Sequence, residues 1–173
     1  MVKKVFIVLS IVLILIIPSS IMKITTEDFP NISIKEILGE KPIGTITIKK
    51  IGLSENLYKI DSPQNTVEKH VEILKESITP EKDNSLMIIA AHSGEGKIAY
   101  FEELDQLQIN DTIILNYNNI DYNYIVKDIW EEKKTGYINF NREDKKQLIL
   151  TTCSPKRKEY QLVINCIEKS LNK

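Results

Sequence analysis

The chain has 173 residues, 42% of them hydrophobic and 27% charged, with a formal net charge of −1. Once an apolar N-terminal run is set aside, that is enough for one domain with a core and too little for two. The near-neutral balance and the lack of a basic patch argue against a nucleic-acid partner. Two cysteines are too few for a disulfide scaffold and lack any zinc spacing.

In chain order, Val5 to Met22 form an uncharged apolar run preceded by Lys3 and Lys4. At helical rise its eighteen residues span roughly 27 Å, close to a bilayer core. The flanking lysines predict a single-pass anchor with its N-terminus in the cytoplasm and the remainder exported. A cleaved signal peptide is the competing reading, weakened by the absence of an A-x-A site; Pro18-Ser19-Ser20 is a poor substitute. Residues 1–24 are therefore read as a cytoplasmic tip and membrane anchor, 25–42 as a linker, and 43–173 as an extracellular β domain at the cell membrane.

From Ile43 onward the strand period appears. Gly44 to Ile48 alternates, and Leu57 to Ile60 reads as a second strand after a turn at Gly52. Val67, Val71 and Leu74 predict a short helix within Asn65 to Lys75. Ser85 to Ala91 is a buried strand, and Ala99 to Leu107 one or two helical turns. Thr112 to Tyr117 and Ile120 to Trp130 flank Asn118-Asn119, a hairpin signal. Glu131 to Lys146 is a long charged loop, followed by strands at Gln147 to Thr152 and Tyr160 to Cys166. Seven or eight short strands with little helix predict an all-β-dominated, closed or nearly closed barrel or sandwich with one or two short helices.

Two strand ends carry the chemistry. Cys153 ends Leu148 to Thr152, and His92 follows Leu86 to Ala91. A thiolate is a nucleophile, and a nearby imidazole can take or return its proton. A small buried apolar role for Cys153 fits the same pattern, as does a merely solvated His92. If 154–160 is the turn joining the last two strands, Cys153 lies opposite Gln161. Cys166 is then five positions along, roughly 16 Å away and on the other face. That exceeds the ~7 Å reach of a disulfide, so Cys153 is expected to be a free thiol and Cys166 a core residue. Gln161 shares a face with Cys153 and its amide can donate to an oxyanion. Arg157, at the turn apex, and Arg142, in the charged loop, are weaker candidates for the same task. Tyr137, Ile138 and Phe140 are candidates for an apolar substrate wall, and His70 reads as a surface residue.

With those residues in hand, the chain resembles the sortases, membrane-anchored cysteine transpeptidases of Gram-positive bacteria. The resemblance rests on Ala90-Ala91-His92-Ser93-Gly94, on Tyr100-Phe101-Glu102-Glu103-Leu104, and on Leu150-Thr151-Thr152-Cys153 followed by Gln161-Leu162-Val163-Ile164. It covers roughly Ile43 to Ile167 and looks closest to the B- or D-like groups. It implies a closed eight-stranded β-barrel behind a transmembrane helix, and a thioacyl intermediate on Cys153 formed from a C-terminal LPxTG-like sorting motif. It also implies His92 as general acid, and an amine acceptor from a cell-wall precursor or a pilin lysine. The substrates would be surface proteins carrying the motif, with Thr152, Tyr137 and Ile138 as substrate contacts. The family's usual arginine at the start of the last strand is replaced by Gln161, which leaves Gln161 or Arg157 to stabilise the oxyanion. No cofactor is expected; Glu95, Glu102 and Glu103 leave a cation open. Two rival readings are a papain-like thiol hydrolase, which would want its cysteine at a helix start, and a non-catalytic anchored β module that binds a wall component.

Overall fold

The computed structural model describes residues 39–169, and within them the β unit begins at Lys41. The expected membrane helix and most of the linker lie outside the described residues. No helix among the described residues is long and apolar enough to cross a membrane.

Eight strands form one sheet: β1 (Gly44–Ile48), β2 (Leu53–Leu57), β3 (Glu72–Ile73), β4 (Leu86–Ala90), β5 (Thr112–Tyr117), β6 (Ile120–Lys133), β7 (Gln147–Cys153) and β8 (Tyr160–Glu168). Their order is β2-β1-β5-β6-β8-β7-β4-β3. The edge strands β2 and β3 are not paired with each other, so the barrel is nearly closed rather than closed. All neighbours are antiparallel except β4 and β7, which run parallel. A parallel pair needs a long crossover, and here the β5–β6 hairpin lies within it.

Strand pleating divides the apolar residues into two sets. Ile46, Ile48, Met87, Ile89, Ile113, Leu115, Leu148, Leu150, Ile164 and Cys166 point inward into the main core. Burying each large aliphatic chain contributes about 1.5–3 kcal/mol. Leu86, Ile88, Ile149 and Val163 point outward and form a second apolar cluster, covered by Leu74, Trp130, Ile138 and Phe140. That double burial explains why β4 and β7 read as unbroken apolar runs. Gly44 has a steric reason: a Cβ there would lie 1.9 Å from the carbonyl oxygen of Asn116 on β5.

The Asn118-Asn119 turn forms as the sequence indicates, with both residues at positive φ (50° and 64°), the geometry a two-residue hairpin requires. Other elements differ. The second strand is Leu53–Leu57, not Leu57 to Ile60. The helix expected within Asn65 to Lys75 is replaced by turns and the two-residue β3. Asn65 explains this: its side chain accepts from Ile73 N (2.8 Å) and donates to Ile73 O (2.9 Å), taking the place of a strand neighbour. Ala99 to Leu107 holds turns and a 3-10 turn at Leu104–Gln106. β6 continues three residues past Trp130. His70 is half-buried rather than on the surface. Its ring stands 4.7 Å from that of Tyr58 and 6.5 Å from that of Tyr100, and its Nδ1 is buried without a partner.

Candidate active site

The parallel β4–β7 ladder positions the two strand ends. Ala90 pairs with Thr151. Continued two residues along both strands, that register sets His92 beside Cys153 on the outer face of the sheet. Three hydrogen bonds extend the pairing beyond the ladder: Ala91 N donates to Thr151 O (3.3 Å), Thr152 Oγ1 to Ala91 O (2.7 Å), and Ser93 Oγ to Cys153 O (2.9 Å). Thr152, expected as a substrate contact, is a buried cross-link on the face opposite Cys153.

The backbone around His92 is held by Phe101 N, which donates to His92 O (2.9 Å). Its Nε2 lies 3.3 Å from Glu68 Oε1, so a carboxylate orients the ring. Cys153 is exposed and free, and Cys166 is free and fully buried. Cys166 pairs with Leu148 at the far end of the hairpin, which separates the two thiols. Burial pushes the Cys166 thiol up. The Cys153 sulfur accepts a hydrogen bond from Lys134 Nζ at 2.9 Å.

Gln161 lies opposite Cys153, and Glu132 opposite Gln161, so β7, β8 and β6 contribute one row on a common face. The Gln161 amide is turned away from the thiol. Its Nε2 donates to Glu132 Oε1 and to Tyr137 O, both at 3.0 Å, which uses both of its hydrogens. Glu132 also accepts from the backbone and side chain of Asn139. Partial burial acts to raise the Glu132 carboxyl, but these hydrogen bonds together outweigh it and hold the group below its usual range. The Glu132–Gln161 pair thus anchors the β6–β7 loop at Tyr137 and Asn139.

The two arginines are occupied elsewhere. Arg157 lies over the Tyr160 ring, 3.3 Å from its centroid, and 3.8 Å from Glu131. Arg142 donates to Gln147 Oε1 and Asn84 O, bracing the start of β7. Beside the anchored loop runs a groove of about 310 Å³, lined by Leu74, Leu86, Ile88, Gly136, Tyr137, Ile138 and Phe140. Tyr137 is 77% exposed there, while Ile138 packs on the outer apolar cluster. Among the described residues, no group of three His, Cys, Asp or Glu is placed to hold a metal, so Glu95, Glu102 and Glu103 do not gather around a cation site.

A sortase domain model matches residues 46–168. The chain belongs to the sortase family. Solved sortases share its fold. Sortase A of Corynebacterium diphtheriae (a lid mutant) is 21% identical with a TM-score of 0.67, over 80% of this chain and 76% of that one. Sortase C-1 of Actinomyces oris is 20% identical with a TM-score of 0.65, over 79% and 78%. Sortase C of Streptococcus pneumoniae is 19% identical with a TM-score of 0.67, over 76% and 68%. No curated protein matches the sequence. Sortases as a family are cysteine transpeptidases, and the strand-end thiol and imidazole here stand on the barrel that family uses.

Sequence reasoning misses Glu68 beside the imidazole and, beside the thiol, Lys134. Two positions beyond Glu132, it shares the face of Cys153, a relation readable only if β6 is carried past Trp130. A bulge between Val126 and Asp128 shifts the alternation of β6 and hides that continuation.

Proposed function

We propose that this sortase cleaves a C-terminal LPxTG-like sorting motif through a thioacyl intermediate on Cys153. It then transfers the acyl group to an amine of a cell-wall precursor or a pilin lysine. The observation that supports this most is the set of hydrogen bonds locking Ala91 and Ser93 to Thr152 and Cys153, which holds the histidine and cysteine strand ends side by side. A non-catalytic wall-binding module has no need to lock a histidine strand end to a cysteine strand end in this way. A papain-like arrangement is disfavoured because Cys153 ends a strand.

The thiolate of Cys153 attacks a backbone carbonyl of the motif, forming a carbon–sulfur bond and an oxyanion. Collapse breaks the carbon–nitrogen bond, and His92, as imidazolium, gives its proton to the departing amine. Neutral His92 then takes a proton from the incoming amine, which displaces the thiolate and completes the transfer. The groove bordered by Tyr137, Ile138 and Phe140 accepts an apolar residue of the motif. Val5 to Met22 anchor the enzyme in the cell membrane with the barrel outside, facing surface proteins that carry the motif.

The test is mass spectrometry of the full chain, in detergent, after exposure to a library of sorting-motif peptides with and without an amine. A thioester on Cys153 and an amine-linked product are expected. If no variant motif acylates the enzyme, the proposal fails.

A further inference from the structure

The geometry points to Lys134 as a catalytic residue, the cation that holds the Cys153 thiolate and then receives the oxyanion. This inference rests on the transpeptidase reading above.

Four observations converge on it. Lys134 Nζ donates to Cys153 Sγ at 2.9 Å, its one side-chain hydrogen bond among the described residues. Its backbone is fixed as well, with Lys134 N donating to Glu159 O at 2.7 Å, just past the last β6–β8 pair. The other candidate donors are committed: Gln161 to Glu132 and Tyr137 O, and Arg157 to Glu131 and the Tyr160 ring. The adjacent carboxylates are also engaged elsewhere, Glu131 by Ser154 and Arg157, Glu132 by Asn139 and Gln161. The lysine charge is therefore left for the sulfur.

An ammonium is a compact charge with three donors on a flexible stem, and a charge-assisted hydrogen bond is roughly twice as strong as a neutral one. Paired with sulfur, it sets a positive charge beside the attacking atom. When the thiolate adds to the carbonyl, the new negative oxygen sits on the carbon bonded to that sulfur. A donor already within reach of Sγ needs only a small shift to meet it. The lysine gains and loses no proton in the step, and the proton for the leaving amine comes from His92. The charge also protects the enzyme, because a neutral amine at this distance would itself attack the thioester.

The test compares wild type, Lys134→Gln and Lys134→Arg in the full chain, with two readouts. The first is alkylation of Cys153 by iodoacetamide at neutral pH, which needs no peptide. The second is the rate of acyl-enzyme formation with a sorting peptide. Lys134→Gln is expected to slow alkylation at least several-fold and acylation by about 100-fold, the loss that removing one oxyanion donor brings. Lys134→Arg should stay within about tenfold of wild type on both. The acyl group should map to Cys153 and not to Lys134. Unchanged alkylation and acylation in Lys134→Gln, or acylation of Lys134 itself, would overturn the assignment. Lysine-dependent alkylation in a protein that no sorting peptide acylates would support the thiolate pairing while sinking the transpeptidase reading.

Discussion

The β7–β8 hairpin carries both cysteines, and its two ends give them opposite properties. Cys153 ends β7 on the outer face, exposed, with an ammonium at 2.9 Å. Cys166 lies five pairs along on the inner face, fully buried among aliphatic chains, its thiol pushed up by burial. Identical side chains on one ladder are thus exposed beside a cation or sealed in the core, according to pleat direction and to what neighbouring strands supply. The surroundings of Cys153 come from a row across three strands, Cys153, Gln161 and Glu132, and from the lysine that follows that row.

The largest effect that separates the two ends is expected from Cys153→Ala, which should abolish both acyl-enzyme formation and native-state alkylation. Alkylation that persisted would mean that Cys166 is reachable in the folded protein. His92→Ala is expected next, lowering acylation by about 10²- to 10⁴-fold; a loss smaller than tenfold would remove the imidazole from the proton transfer. Glu132→Ala should release the β6–β7 loop and raise KM several-fold with a smaller change in kcat. The same anchor should respond to pH. Because the folded carboxyl sits below its ordinary value of 4.5, the stabilisation is full above that value and fades as pH falls through the folded one. Trp130, the chain's single tryptophan, packs beneath the loop and should shift its emission on acidification below the ordinary carboxylate range. Emission that stays flat until the whole fold unfolds in acid would count against the anchor. The smallest effect on activity is expected at the inner end: Cys166→Ser should leave kcat/KM unchanged while costing about 1–3 kcal/mol of stability, read by denaturant unfolding, because it buries a hydroxyl.

What the sequence discloses, and what it hides, follows the same division between local and distant causes. The Asn118-Asn119 hairpin is legible because two residues that tolerate positive φ sit between alternating strands. The Cys153–Gln161 pairing is legible because one short turn sets it. Ser154 Oγ accepts from the backbone N–H groups of Lys156 and Arg157 and closes that turn locally. The segment after Asn65 misleads because Val67, Val71 and Leu74 match a helical spacing by coincidence, while Asn65 satisfies β3 from eight residues away. Lys134 is hidden by the β6 bulge, and Arg142 looks available because one of its partners, Asn84 O, comes from 58 positions away.

The parallel joint between β4 and β7 has a kinetic consequence. The residues that it aligns are sixty-one positions apart, as in the contact between Thr152 and Ala91. Pairings of such separation carry a loop-closure cost before they return any contact energy, and parallel ones form slowly. A chain caught before that closure has its cysteine without the histidine beside it, whereas the lysine arrives separately through the β6–β8 and β7–β8 pairings. Formation of the β4–β7 joint is therefore the step that brings the histidine strand end to the cysteine.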